Sequence, residues 1–217
     1  MAIVIGNKTT YNATPAGTSH TISHNQNVGD DGVILVGLSM AKSRNYSSVT
    51  YNGVPLTQKV NYSSGGSGQR WALFTIENPA TGVNNIVVNF NGSIFNPVSL
   101  IVQSFTGAEV GVTGNNDLSN TPHSRGLTVS ENSLIYLMGV SANAQGTQYN
   151  IGGLNRPFLF GHNTNRTVRG ALSDVLSAGN VISISKANFG QISNTRIEIK
   201  EVSVTPVGSS GNFLMLF

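Results

Sequence analysis

Val33-Ile34-Leu35-Val36-Gly37-Leu38-Ser39-Met40 is apolar at consecutive positions rather than at every second one. A half-buried strand alternates apolar and polar residues, so a continuous run belongs to a strand covered on both faces, in the middle of a sandwich or under a subunit interface. Leu134-Ile135-Tyr136-Leu137-Met138 is a second run of the same kind. Elsewhere the alternation is clean: Val87, Asn89 and Asn91 oppose Val88 and Phe90, the pattern of a solvent-facing strand.

Working outward from these runs, strand signals recur along the chain. They fall at 19–23, 48–51, 54–60, 70–77, 85–90, 98–106, 126–130, 133–141, 147–151, 167–173, 181–186 and 195–204. Each is short, rich in Val, Ile, Thr and aromatic residues, and bounded by Gly, Asn, Asp or Ser. Asn52-Gly53 reads as a two-residue hairpin turn, because a type I′ turn needs positive φ at both central positions. Asn91-Gly92 and Gly152-Gly153 are further turn signals. Helix evidence is thin: 168–178 offers one or two turns at most, interrupted by Gly170. The chain is therefore expected to be all-β, an antiparallel two-sheet β-sandwich of jelly-roll-like type over residues 18–204. An extended N-terminal arm over 1–17 precedes it and an apolar-tipped C-terminal arm over 205–217 follows.

Three segments recur in the same order in the two halves. Gly32–Met40 (GVILVGLSM) resembles Ser133–Ala142 (SLIYLMGVSA), Asn84–Asn91 resembles Gly179–Ser185, and Val98–Phe105 echoes Gln191–Val202. Their spacing differs, so this is no solenoid repeat. It fits a sandwich whose two halves use similar strand sequences.

Composition excludes several classes. Among 217 residues there are 12 Lys+Arg, 9 Asp+Glu and no cysteine, with 26 Asn, 25 Ser, 18 Thr and 25 Gly making up the polar share. Without cysteine there is neither a disulfide framework nor a Cys-ligated zinc site. The pI near 9.3 rests on a surplus of three charges and no basic block, so no nucleic-acid footprint is read. No apolar run approaches membrane-spanning length, and Met1–Gly6 shows no basic region leading into an apolar core, so neither a membrane span nor a secretory signal is expected.

Chemistry-bearing residues are scattered. His20 and His24 share a strand face but sit about 13 Å apart, too far to ligate one metal together, and read as surface strand residues. His123 and His162 stand in polar loops. Asp30-Asp31 precede Gly32 as turn residues and are the place to look for a cation, if one binds. No nucleophile elbow and no phosphate loop is present. The expectation is no enzyme, no cofactor and no metal. Trp71 reads as a core residue. Tyr46, Tyr51 and Tyr62, near hairpins, are the residues available for glycan contact. Ile3-Val4-Ile5 and Phe213-Leu214-Met215-Leu216-Phe217 are apolar tips suited to assembly or partner binding, the second behind a Gly/Ser-rich tether.

The series Val49–Thr57 (VTYNGVPLT), Arg70–Gly82 (RWALFTIENPATG), Ile86–Phe90 (IVVNF) and Val102–Gly107 (VQSFTG) resembles a jelly-roll-type β-sandwich module found in bacteriophage structural proteins and bacterial surface proteins. The resemblance spans roughly residues 18–204 and transfers no catalytic residue. It implies a virion structural protein, foremost a capsid decoration (cement) protein. Such a protein would be made in the host cytoplasm and located on the capsid surface, as a homo-oligomer (a trimer by family analogy) in contact with the major capsid protein. The alternative is a glycan- or receptor-binding module of a tail fibre or a bacterial surface protein.

Overall fold

The computed structural model describes residues 2–15, 17–27, 31–41, 43–63, 69–94, 97–115, 127–141, 148–151, 154–157, 160–161, 167–174, 176, 178, 184–185 and 192–203. Every regular element among them is a β-strand and every strand pairing is antiparallel. The expected all-β antiparallel sandwich is thus observed.

The first nine strands are β1 (Val4–Ala13), β2 (Gly17–Gln26), β3 (Gly32–Ala41), β4 (Tyr46–Tyr51), β5 (Val54–Pro55), β6 (Thr57–Ser63), β7 (Gln69–Glu77), β8 (Gly82–Ile94) and β9 (Val98–Thr106). They make sheet I, ordered β1-β9-β3-β7-β6, and sheet II, ordered β2-β8-β4-β5. The antiparallel pairs β1·β9, β2·β8, β3·β7 and β4·β5 nest inside one another. The innermost hairpin turns at Asn52-Gly53, with φ of 48° and 79° as a type I′ turn demands.

The remaining strands repeat this order. They are β10 (Ala108–Asn115), β11 (Leu134–Ser141), β12 (Gln148–Ile151), β13 (Leu154–Pro157), β14 (Phe160–Gly161), β15 (Thr167–Leu172), β16 (Ile184–Ser185) and β17 (Ile192–Glu201). Sheet III runs β10-β17-β11-β15-β14, matching sheet I strand for strand, and sheet IV, β16-β12-β13, matches β8-β4-β5. The counterpart of β2 would fall between β10 and β11, where 116–126 lie outside the described residues. Even an irregularity is repeated. The ladder of β1 shifts register between Ile5 and Lys8 opposite Phe105, and that of β10 shifts between Val110 and Thr113 opposite Ile199. Each break encloses a glycine, Gly6 or Gly111. The echo in the sequence is therefore a duplicated module, and the single sandwich expected over 18–204 is replaced by two successive copies of one strand plan.

Two cores result. Ile34, Val36, Leu38 and Met40 of β3 meet Val49, Tyr51, Ile86, Val88 and Phe90 of sheet II. Val33 and Leu35, pointing the other way, join Leu73, Trp71, Ile101 and Phe105 against Leu134, Tyr136, Met138, Ile197 and Ile199 of sheet III. Sheet I is thus the middle layer of a three-sheet stack, which is why Val33–Met40 is apolar on both faces. Trp71 is buried as expected and donates its indole N–H to Thr195 Oγ1 at 3.3 Å, across the two modules.

Two further expectations meet a different structure. Residues 1–17 are not a free arm: Val4–Ala13 is the edge strand of sheet I, because its alternate residues Asn7, Thr9 and Tyr11 have partners on β2. Asn91-Gly92 does not turn the chain; Gly92 (φ 136°) lies within β8, near the register shift that pairs Ile94 with Gly17. Residues 167–172 are β15, the strand expected at 167–173, held by β11. The C-terminal arm, 205–217, lies outside the described residues.

Candidate functional site

None of the residues of β2, β4, β5 and β8 is Lys, Arg, Asp or Glu, so sheet II carries no formally charged side chain in a protein that has 21 elsewhere (12 basic and 9 acidic). Its inner residues fill the first core. Its outer face is made of short polar side chains in cross-strand rows, such as Thr21–Val87–Thr50 and Ser19–Asn89–Ser48. Within the rows, neighbouring strands are tied by side chains: Ser23 Oγ donates to Asn85 Oδ1 at 3.2 Å and Asn89 Nδ2 to Ser48 Oγ at 2.8 Å. Val83, 70% exposed, extends the face at one end. Covering such a face desolvates no charge, and the buried centres of protein interfaces are depleted in charged residues for that reason.

A second constellation closes the open side of the first sandwich, where edge strands β1 and β2 face each other. Asn7 Nδ2 donates to the Asn25 carbonyl at 2.9 Å. The His24 ring is held from both ends, Nδ1 at 2.9 Å from Thr9 Oγ1 and Nε2 at 2.6 Å from Ser104 Oγ of β9. His20 stacks on Tyr11 with ring centroids 3.9 Å apart. Burial, with no charged neighbour contributing, pushes the His24 pKa down to about 4. Burial also lowers that of His20. The expectation that both are surface residues fails for His24, which is 1% exposed. The strand TSHTISHNQ is polar on both faces, and only Ile22 marks which one turns inward.

The third constellation lies in sheet III. The Glu198 carboxylate is buried over Gly111, where a Cβ would overlap it, and accepts the Val112 N–H at 2.9 Å and the Ser130 N–H at 2.5 Å. It pins the β10 bulge to Ser130, ahead of β11, the role of a structural acceptor. Alternation with Ile197 and Ile199 gave Glu198 the look of a solvent-facing residue, so no signal in the sequence marked it. Nearby, a polar cleft of about 480 Å³ is lined by Ser130, Glu131, Asn132 and Lys200–Ser203. Lys200 Nζ lies 2.7 Å from Glu109 Oε1, and Asn132 Nδ2 donates to Glu201 Oε2 at 3.0 Å.

The expected site residues are dispersed. Val4 and Ile5 are 54% and 51% exposed on the edge strand, whereas Ile3 packs against the second core. Phe213, Leu214, Met215, Leu216 and Phe217 lie outside the described residues, as do Asp30, His123 and His162. Asp31 has φ 61°, the turn conformation expected of it, and its carbonyl accepts the Ala108 N–H. Of the glycan-contact tyrosines, two are withdrawn from solvent. Tyr46 packs edge-on to Phe74 and donates to Gln58 Oε1 at 2.6 Å, and Tyr51, fully buried, donates to the Ala80 carbonyl at 2.7 Å. Their position beside a hairpin placed them near the surface in sequence, but both point into the first core. Tyr62 is half-buried and stacks on Trp71 at 4.3 Å. Among the described residues no three His, Cys, Asp or Glu side chains gather as a metal site.

Neither a protein-family model nor a curated protein matches the chain.

Proposed function

We propose that this chain is a structural protein of a virion, a capsid decoration protein that stabilises the particle through contacts with the major capsid protein and with copies of itself. The observation that carries the reading is the charge-free outer face of sheet II, a twisted four-stranded surface of Ser, Thr, Asn and Val that can be covered by another protein without desolvating an ion. The rigid three-sheet stack behind it supports the same use, since a face preorganised by two cores loses little entropy on docking. The alternative glycan-binding reading is disfavoured because Tyr46 and Tyr51 point into the core and offer no stacking platform.

The test places charge on that face. Thr21→Lys and Asn85→Lys alter exposed side chains, where substitutions typically change stability by about 0.5 kcal/mol or less. Each variant should keep the wild-type melting temperature while its copy number in purified particles, counted by mass spectrometry, falls at least about tenfold. Incorporation of both at the wild-type copy number would remove sheet II from the assembly surface.

A further inference from the structure

We propose that the N-terminal edge strand β1 is an acid-released latch: protonation of His24 frees Val4–Ala13 from the mouth of the first sandwich while β3, β7 and β9 stay folded. The geometry has three parts. First, His24 is the one ring that joins β2 to both β1 and β9, through Thr9 and Ser104. Each hydroxyl can donate or accept, so a neutral imidazole, with one N–H and one lone pair, is fully satisfied between them. Second, among the described residues the surroundings provide no anion to balance a positive ring. From β1 it meets Thr9, and the neighbouring Lys8 is exposed and itself cationic. From β9 it meets Ser104, whose partner on β3 is Ile34. On β8 its register partner is Asn84, committed to the carbonyls of Ala80 and Thr81. Along β2 the same face carries Gln26 and His20, the latter against the Tyr11 phenol. No carboxylate is in this set.

Third, β1, like β2 an edge strand, can leave without breaking a central pairing. It pairs on one side only, with β9, and its inward contacts to β2 are the polar ones just described, whereas β9 is held on its other side by β3. Edge strands of this kind open locally at a fraction of the global unfolding free energy.

The sign follows from linkage. With β1 latched, His24 takes up a proton only near pH 4; with β1 released, water reaches the ring and it titrates near its ordinary 6.5. Between those values the released state binds more protons, so the latch is fully engaged above pH 6.5 and is lost as pH falls toward 4. Relative to pH 7, the released population rises roughly 20-fold at pH 5 and roughly 100-fold at pH 4.

Hydrogen exchange on the full chain, expressed as protection factors so that the intrinsic pH dependence cancels, reads this directly. Peptides covering 4–13 should lose protection by those factors between pH 7 and pH 4, while peptides from β3 and β7 keep theirs. His24→Gln, neutral at every pH, should leave only the smaller pH dependence that His20 contributes against Tyr11 of β1. In the wild type, an NMR titration of the His24 ring should follow the loss of β1 protection, a readout that does not depend on the variant folding. The proposal is overturned if wild-type β1 protection changes less than threefold, if His24→Gln loses it as the wild type does, if all strands lose protection together, or if the ring titrates while β1 stays protected.

Discussion

Gly37→Ala adds one methyl group at the point where the two modules touch most closely. Gly37 lies mid-strand in β3, and a Cβ built on it would overlap Met138 Sδ of β11 and come within 2.8 Å of Ile101 Cγ2. Taken alone, alanine in a strand is favoured over glycine by about 0.5–1 kcal/mol, because the unfolded chain loses freedom. Against that stands overpacking in a closed core, typically about 1–3 kcal/mol. Ile101 is on a central strand of sheet I with no free direction to move, so the steric term should win and the net loss should be about 1–2 kcal/mol. Met138 is the softer neighbour, and shortening it offers a control. Met138→Ala alone should cost about 2–5 kcal/mol by leaving a cavity. Combined with Gly37→Ala, the new methyl fills part of that cavity, so the double variant should be more stable than the sum of the two losses by about 1 kcal/mol or more. Trp71, buried in the same core, reports the transition by fluorescence during urea unfolding. If Gly37→Ala is neutral or stabilising, and additive with Met138→Ala, the sheets are not in the close contact described and the reasoning fails.

Removing the acceptor at Glu198 should be costly: Glu198→Ala strands the Val112 and Ser130 amides, each lost partner worth about 1–3 kcal/mol, whereas Glu198→Gln keeps one acceptor oxygen and should lose less. Equal stability of the two variants in urea unfolding would refute this. Tyr46→Phe should lose the Gln58 hydrogen bond and about 1 kcal/mol, seen as a lower melting temperature. Ending the chain after Gly107 should uncover Leu35, Leu73, Trp71 and Phe105, so the first module alone should self-associate in light scattering at micromolar concentration, where the full chain's state is set by other surfaces. A monodisperse, monomeric fragment with a native melt would show that sheet III is dispensable.

How far the fold is legible in the sequence depends on whether a residue's neighbours decide its environment. Val33–Met40 announces a doubly covered strand because six apolar side chains among eight successive residues, on both faces, cannot all avoid water otherwise, and Asn52-Gly53 announces its turn because few residues accept two positive φ angles. The order of the echoing segments is visible as well. Their meaning as a duplicated module is not, since the connections differ in length and what joins the copies is register, above all the matched breaks at Gly6 and Gly111. At the candidate sites the information is weaker still. Sheet II's lack of charge is in the sequence, but only pairing order gathers β2, β4, β5 and β8 into one surface. His24 and Tyr51 read as outward residues because alternation assigns residues to two faces without saying which is the core.

The duplicated plan also explains how the two copies recognise each other. Val33 and Leu134 hold matching places opposite Phe105 and Ile199, which sets Gly37 of the first copy level with Met138 of the second. One carries the knob and the other the socket. Two first copies meeting through sheet I in the same geometry would set socket against socket and leave a void the size of a methionine side chain, a loss of about 2–5 kcal/mol. Two second copies would drive knob into knob. Only the unlike pairing fills the space, so while the chain is being made, or in a crowded assembly, each half is steered toward its own sibling rather than the same half of a neighbouring molecule. Glycine and methionine at one repeated position thus act as a mating code that keeps a protein built from two similar parts from exchanging them.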